Sequence, residues 1–567
     1  MKEELSIRIA GEAGQGLATI GFSLCNIFKK AGFNLFANQD YMSRIRGGNN
    51  FFQIRISEKP VYTLKEKIDI LIPLNEESIA IHKKDCLNSS IILADSDMTG
   101  IEKKDDRLIS IPLSDITAGN KKYLNTAAIG CLCGMMGIDL GVIIDNLQDT
   151  FKKKDEEIIQ ENIAIAKAGY RYGEKKQELV SIKLRPGTIK EELLLNGNEA
   201  IALGAIKAGM KFYCAYPMSP STSIINTVAH FAKEYGILVE QAEDEIAAVN
   251  MVVGASAAGV RSMAGTSGGG LALMQEGISL AGITETPIVI IDSQRPGPAT
   301  GLPTRTEQGD LNFLIHAGHG EFAKAVFAPG TIEECFYLTI KAFQIADKFQ
   351  IPVIIMTDQH LADSIRNTLF FDQDIIKVKS YRISKNESKS IKNYKRYNYT
   401  DSGISPRAVP SWIDDVIYID SDEHTEAGHI TESADVRNKM MKKRYFKRYK
   451  ELEKEIVPPK AFNLSNAEIL FIGFGSTYNV LKEAGQILKE NKIGFIHLPG
   501  VWPLPKEKII SLVSNKTVYT VENNAGAQLA SLIVRETGIK IKGSIVKYDG
   551  RPFNIELLVR EIQRRIS

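Results

Sequence analysis

The sequence predicts a multi-domain α/β protein built from open sheets flanked by helices. Apolar runs such as "IDILIPL", "SSIILADS", "TPIVIIDS" and "IPVIIMTD" have strand length and are bounded by turn residues. Helical stretches separate these runs, and strictly alternating strands and helices favour a mostly parallel sheet. A chain of 567 residues also exceeds what one hydrophobic core sustains, so about two to four domains are expected.

Residues 1–175 open the alternation. "LSIRIAGEAGQGLATIGFSLCNIFKKAG" reads as strand, glycine turn and helix, the start of a mostly parallel sheet with helices on both faces. Residues 176–195 are charged, contain Arg185-Pro186-Gly187 and read as a linker. A second α/β unit spans 196–370, from "GNEAIALGAIKAGMKFYCAYP" to "IPVIIMTDQHLADS". Residues 371–455 are polar, rich in Lys, Asn, Ser and Tyr, and read as an extended crossover that ends in a charged helix. Its basic run "KMMKKRYFKRYK" reads as a solvated helix face rather than a nucleic-acid patch. Residues 456–567 form a third, compact α/β unit.

Composition narrows the function classes. The formal net charge of +2 makes no global case for nucleic acid or a membrane surface. The longest apolar run, "NTAAIGCLCGMMGIDLGVII", is broken by Asp139 and glycines and reads as a packed helix rather than a membrane span. The start, "MKEELSIRIAGEAG", is unlike a signal peptide, so a cytoplasmic location is expected. The cysteines at 25, 86, 131, 133, 214 and 335 form no Cys-x-x-Cys pair or fourfold set, so no zinc or iron–sulfur cluster is expected in this chain. Cys131 and Cys133 read as core.

Several loops at strand ends combine residues suited to ligands. Gly11-Glu-Ala-Gly14-Gln15-Gly16 lies between a strand and a helix, where backbone amides can approach a phosphate. It lacks the Lys-Ser/Thr of a P-loop, and a structural turn explains the glycines equally well. "YMSRIRGGNN" sets Arg44 and Arg46 beside paired glycines, either as an anion contact or as a surface loop. "YCAYPMSPST" follows a strand with Pro217 and Pro220, which cannot extend a ladder. Its hydroxyls suit either a cap on the next helix or a partner outside the chain. Glu243-Asp244-Glu245 opens a helix rich in Ala and Gly, where the helix dipole alone favours acids. "AGTSGGGLALMQEG" is another glycine loop before a helix, and "DSQRPGPATGLPTRTEQGDL" presents Arg295 and Arg305 from a stiff loop suited to carboxylates.

Together "AYPMSPST", "EDEIAAVNMVVGASAAGVRSMAGTSGGGLALMQEG", "QRPGPATGLPTRTEQGDL" and "VENNAGAQLASLI" resemble the α-subunit of the 2-oxoacid:ferredoxin oxidoreductases. "GEAGQG…SRIRGGNN" is similar to that family's γ-domain, fused here ahead of α, so the resemblance covers nearly the whole chain. It implies a γ-type domain, a thiamine-diphosphate-fold pyrimidine-binding domain and a transketolase C-terminal-like domain. The last reads as a packing and assembly module. The family oxidatively decarboxylates a 2-oxoacid onto coenzyme A with thiamine diphosphate and iron–sulfur clusters.

The resemblance also implies residue roles. Glu245 matches the glutamate that bonds the thiamine aminopyrimidine, and Arg295 the arginine that binds the 2-oxoacid carboxylate, with Thr304 and Arg305 as secondary candidates. The family loop reads Tyr-Pro-x-Thr-Pro-Ser. Tyr216 and Pro217 match it, and Ser219 stands at the Thr position, keeping the hydroxyl and losing a methyl. Thr266, Ser267 and Gly268 belong to the cofactor loop, and Gly11, Gly14, Gln15, Gly16, Arg44 and Arg46 to a candidate coenzyme A phosphate site. The Gly-Asp-Gly…Asn motif that holds diphosphate and Mg²⁺ is absent, and its nearest match, "YDGRPFN", lacks the first glycine and the spacing. A β-subunit is therefore expected to supply the diphosphate and Mg²⁺ ligands and an iron–sulfur cluster, in a dimer of α–β units that passes electrons to ferredoxin. The γ–α order and the "GPATGLPTRTEQGDL" loop favour 2-oxoglutarate, with pyruvate, a branched-chain oxoacid or an aryl pyruvate as alternatives. An assembly or regulatory protein on a degenerate thiamine fold is the alternative of another class, in which Glu245 and Arg295 would be dispensable.

Overall fold

Strand and helix alternate through most of the chain. The computed structural model describes residues 3–43, 47–98, 105–180, 192–372, 374–375, 377–489 and 492–566. They fall into two units, one of Met1–Leu195 with Ser364–Phe370 and Asn554–Arg560, the other of Asn196–Asp363, Phe371–Phe553 and Glu561–Ser567. Most of the linker residues, and Arg44 and Arg46, lie outside the described residues.

The first unit contains an eight-stranded sheet in the order Leu108–Ile111, Cys86–Asp95, Ile68–Pro73, Glu4–Ala13, Gly47–Ser57, Asn34–Asp40, Ile365–Leu369, Glu192–Leu195. The first four strands pair in parallel, and every later pairing is antiparallel. The sheet is thus mixed rather than mostly parallel. The reason lies in Gly47–Ser57, an 11-residue strand that pairs antiparallel on both sides and begins at the glycines of a stretch weighed above as a surface loop. Two of the eight strands come from beyond residue 175.

The apolar run broken by Asp139 begins as the helix Leu124–Met135, which packs on Glu156–Glu174. Gly130 and Gly134 on one helix, and Gly169 and Gly173 on the other, leave no room for a Cβ. Added atoms would overlap the carbonyls of Ala166, Tyr170, Ala127 and Cys131. Backbone-to-backbone contact therefore accounts for the small residues, and Cys131 and Cys133 are fully buried beside it. Among the described residues no helix is long and apolar enough to cross a membrane.

The second unit carries two sheets. In the seven-stranded one the order is Gly500–Trp502, Ala325–Phe327, Pro352–Asp358, Ile288–Gln294, Ser262–Thr266, Phe212–Ala215, Leu238–Gln241. All pairings are parallel except that of the Gly500–Trp502 edge. Its central strands are buried on both faces and read as continuous Val/Ile runs, as parallel strands require. The five-stranded sheet runs Lys460–Phe462, Ile493–His497, Ile469–Gly473, Thr517–Glu522, Gly543–Val546, parallel apart from its first pairing. One hydrophobic core joins the two sheets, taking in Ile290 and Ile354 of one and Ile472 and Ile496 of the other.

The basic run at 439–450 departs from expectation. Lys443, Arg444 and Arg448 are buried, while Lys439, Lys442, Phe446, Lys447 and Lys450 face solvent. Lys443 Nζ donates to Glu285 Oε1 at 2.8 Å, while Arg448 donates to Glu285 Oε2. Arg396 Nη2 donates to the Glu285 carbonyl at 2.6 Å. Glu285 is fully buried, and the cations Arg448, Lys443 and Arg396 overcome its burial to hold the carboxyl below its usual range. A helical run of cations met a buried anion carried by a residue with φ of 51°, a partner invisible to local charge patterning. Glu285→Gln keeps the side-chain shape but leaves those cations buried without a counter-charge. It should lower unfolding free energy by about 3–5 kcal/mol, read from denaturant midpoints of the chain, and a loss below about 1 kcal/mol would assign the cluster no more than a surface pair's weight.

Candidate functional site

The chain leaves strand Phe212–Ala215 for Leu238–Gln241 on one side and returns to Ser262–Thr266 on the other. Such a reversal opens a crevice at the carboxyl ends of the strands. The "YPMSPS", "EDE", "SGGG" and "RPGPATGLPTRTEQGD" segments follow four neighbouring strands of this sheet, so they emerge on the same edge.

Helix Glu245–Ala257 starts in this crevice. Asp244 is its N-cap, its side chain accepting from Ala247 N at 2.7 Å. That occupies the dipole-favoured acid and leaves Glu245 free for another task. Glu245 is 2% exposed, and its Oε1 has no hydrogen-bond partner among the described residues. Burial, with a contribution from the Asp244 charge, raises its pKa against the helix amide, Thr266 and Arg295. The carboxyl lies over Gly270, where a Cβ would stand 2.5 Å from Oε1 and overlap Thr266 Oγ1. A glycine at 270 is therefore a condition for this carboxyl's position.

The other loops close around it. Arg295 Nη1 donates to the Ser219 carbonyl at 2.8 Å, joining two segments singled out from sequence. Ser267 Oγ lies 3.0 Å from Met218 Sδ, which ties the glycine loop to the same segment. The hydroxyls do not cap the next helix: Ser221 precedes Thr222–Tyr235, but its Oγ donates to the Met218 carbonyl at 2.8 Å and thus stiffens the loop. Tyr216 is 41% exposed, Pro217 and Ser219 are half-buried, and Thr266 and Ser267 are buried. Gly268 would drive a Cβ into the carboxylate of Asp310.

Arg305 and Thr304 lie further along the same loop, half-buried. A Cβ on Gly550 would stand 3.2 Å from Arg305 Cβ, so this part of the loop rests against the "YDGRP" turn. Asp549 of that turn accepts from Lys547 Nζ at 2.5 Å and from Arg551 N at 3.0 Å. Its carboxylate organises the turn.

The glycine turn of the first unit is built by its own side chains. Gln15 Oε1 accepts from Glu12 N at 2.7 Å, and Gln15 Nε2 donates to the Leu74 carbonyl at 3.3 Å. Gly11 and Gly16 are required by close packing on Gln15 and Asn125, whereas Gly14, with φ of 98°, has open space where a Cβ would point. Gln15 therefore braces the turn, and Gly14 is its exposed residue.

Known proteins share this architecture. The family described as pyruvate flavodoxin/ferredoxin oxidoreductase, thiamine diphosphate-binding, matches residues 203–443. Pyruvate ferredoxin/flavodoxin oxidoreductase matches residues 6–172. The chain is 32% identical to a 2-oxoacid:ferredoxin oxidoreductase subunit alpha of Sulfolobus sp, over 97% of this chain and 95% of that one. The chain belongs to the 2-oxoacid:ferredoxin oxidoreductase α-subunit family. It is also 35% identical to 2-oxoglutarate synthase subunit KorA of Methanocaldococcus jannaschii, over 58% of this chain and 88% of that one. A solved 2-oxoglutarate:ferredoxin oxidoreductase from Magnetococcus marinus, with 2-oxoglutarate, coenzyme A and succinyl-CoA bound, superposes over all of both chains with a TM-score of 0.92 at 29% identity.

In this oxidoreductase subunit the site holds two acids that sequence reasoning passed over. Asp292, on strand Ile288–Gln294, is fully buried, and neither carboxyl oxygen has a partner among the described residues. Burial and then the Asp310 charge push it well above the usual range. Asp310 ends the arginine loop, its N–H donating to Gln294 Oε1 at 2.9 Å, and burial raises its pKa to about 6 against the pull of Arg295. The signal available in sequence was an aspartate placed where a Val/Ile strand leaves the core, in "IVIIDSQ".

An acid raised on folding favours the native state while protonated and costs stability as pH climbs through its folded value. Asp310, ordinarily near 3.8, makes that loss between about pH 4 and pH 6. Asp310→Asn removes the loss. The variant's melting temperature should therefore exceed wild type increasingly between about pH 4 and pH 6, and the gap should level off above that. A pH-independent difference would remove Asp310 from the titration.

Proposed function

We propose that the chain supplies the aminopyrimidine half of a thiamine diphosphate site and the 2-oxoacid carboxylate clamp of an enzyme making acyl-CoA. The net reaction is R-CO-COO⁻ + HS-CoA → R-CO-S-CoA + CO₂ + H⁺ + 2e⁻, with the electrons passed to ferredoxin. The observation that carries this reading is the buried Glu245 carboxyl, without a partner at Oε1 among the described residues and seated on Gly270. An orphaned acid at a glycine cradle fits a group that offers a ring nitrogen. Glu245, Thr266, Ser267 and Gly268 would hold it.

The chemistry that thiamine diphosphate supplies when bound is carbanion attack on the ketone and storage of the electron pair left by CO₂. The protein's part is positional and acid–base. Glu245 holds a proton at Oε1 more tightly than a solvated glutamate does, because burial disfavours its charge. It is thus suited to donate to or accept from a nitrogen. Arg295 commits Nη1 to the Ser219 carbonyl, which fixes the guanidinium plane and leaves its other N–H groups for a carboxylate. Ser219 and Tyr216 offer hydroxyls beside it, with Pro217 limiting the loop's freedom. Thr304 and Arg305 are secondary contacts.

2-Oxoglutarate is the substrate favoured, on the strength of the relative named 2-oxoglutarate synthase and the solved neighbour that binds it. Coenzyme A, also bound in that neighbour, is assigned to the backbone around Gly11, Gly14, Gln15 and Gly16 of the first unit. Mg²⁺, the diphosphate ligands and an iron–sulfur cluster are assigned to a β-subunit. In this reading Asp549 of the only near match to the diphosphate motif is already engaged with Lys547.

Glu245→Gln in the reconstituted complex should keep assembly and lose about 10²–10⁴-fold in turnover, measured as ferredoxin reduction with saturating thiamine diphosphate. Near-normal turnover would return Glu245 to a helix-start acid. Arg295→Lys keeps charge and loses the fork, costing about 10- to 150-fold in kcat/KM for every oxoacid tested. Harmless Arg295→Lys beside a crippling Arg305→Lys would move the clamp ten residues along the loop.

A further inference from the structure

The arginine loop is anchored in an unexpected place. Gln308 is fully buried and uses every polar group it has. Its N–H donates to the Asn523 carbonyl at 2.7 Å, and its Oε1 accepts from Asn523 N at 3.0 Å. Its Nε2 donates to the Phe474 carbonyl at 2.8 Å, and its own carbonyl accepts from Asn524 Nδ2 at 3.1 Å.

Phe474 directly follows strand Ile469–Gly473, and Asn523 directly follows Thr517–Glu522. These are adjacent parallel strands of the five-stranded sheet. Gln308 thus plugs the carboxyl edge of that sheet, the place where open α/β sheets otherwise bind ligands. Neighbouring bonds extend the grip: Gln528 Nε2 donates to the Gly309 carbonyl at 2.6 Å, and Thr306 N to the Gly550 carbonyl at 3.2 Å. Gly475, with φ of 55°, faces Gln308 Nε2 where a Cβ would come within 2.8 Å, so the socket has no room for a side chain there. Glu522 builds the socket's far wall, accepting from Leu529 N at 2.7 Å and Ala530 N at 3.0 Å to start helix Gln528–Thr537.

We propose that Gln308 is a positioning residue for 2-oxoacid recognition, and that the carboxyl-terminal sheet serves as the socket that fixes the arginine loop. The loop is long and rich in Gly, Pro and Thr, so its conformation is set by what holds it. Gln294 closes its base through the Asp310 N–H, Arg295 reaches Ser219 at one end, and Gln308 pins the other to the socket. Loss of the pin frees the loop to sample arrangements in which Arg295 no longer faces the substrate carboxylate. The inference rests on the reading of Arg295 as the carboxylate clamp.

The test uses the purified complex of this chain with its partner subunits, assayed with 2-oxoglutarate and with pyruvate. For Gln308→Ala the expected result is a rise of about 10-fold or more in the KM of the oxoacid. The KM of coenzyme A and the bound thiamine diphosphate should stay within about 3-fold of wild type. In Gln308→Ala/Arg295→Lys the two losses should fall well short of multiplying, as expected when one residue acts through another. A merely structural role would lower the melting temperature and kcat through a smaller active fraction and leave the oxoacid KM in place, which would overturn the proposal. If Gln308→Ala does not assemble, Asn524→Ala, which removes the bond to the Gln308 carbonyl, should still raise the oxoacid KM several-fold. An unchanged KM there, with Arg295→Lys impaired, overturns the socket while leaving the clamp. An unimpaired Arg295→Lys removes the clamp and the socket's role with it.

Discussion

Parallel strands all end on one edge of their sheet, and this constraint organises the second unit. Because each strand must be reached by a crossover, the segments that follow Ala215, Gln241, Thr266 and Gln294 emerge side by side, although they span some eighty residues of sequence. The reversal of strand order between Phe212–Ala215 and Ser262–Thr266 then leaves a crevice that no crossover covers. Glu245, Arg295, Ser219 and the Ser267–Gly270 loop meet there for that reason. None of them contacts another through local sequence.

Buried charge in this unit divides into two kinds. Glu285 meets Lys443, Arg448 and Arg396, and Glu334 meets His497 Nε2 at 2.9 Å and Lys460 Nζ at 2.5 Å. Both carboxyls are held below their ordinary range, Glu334 at about 2, because nearby cations outweigh burial. Glu245, Asp292 and Asp310 are shifted upward, since burial outweighs the pull of Arg295 on Glu245 and Asp310 and meets none on Asp292. The first kind is what a chain makes to hold a crossover or a sheet together. The second costs stability, since burial disfavours the charged form.

The five-stranded sheet shows how an α/β module can become a support. Its carboxyl edge, between Phe474 and Asn523, is occupied by a side chain of the neighbouring sheet's loop. The backbone N–H and carbonyl of Gln308, its Oε1 and its Nε2 each have a partner, as buried polar groups require. The Gly500–Trp502 strand adds to this joining, since it leaves the carboxyl-terminal stretch to pair with Ala325–Phe327.

Much was legible in the chain itself. Period and length of the Val/Ile runs determined the α/β class, and Pro217, Pro220 and the Gly-rich turns determined where strands stop, because these are local backbone properties. The ordered motifs around Glu245 and Arg295 made them candidates, and the structure brings the segments that carry them to one sheet edge. Local pattern could not give the mixed first sheet, since antiparallel pairing of Gly47–Ser57 depends on which neighbours it finds. Nor could it show that Lys443 and Arg448 turn inward, because their anion lies some 160 residues away in sequence, at Glu285. Asp292, Asp310 and Gln308 stayed hidden for the same reason. The sequence determined which segments could carry chemistry. Only the tertiary structure decided which atoms are dry, which are paired and which are left open, because desolvation and hydrogen-bond matching are properties of packed neighbours rather than of residues.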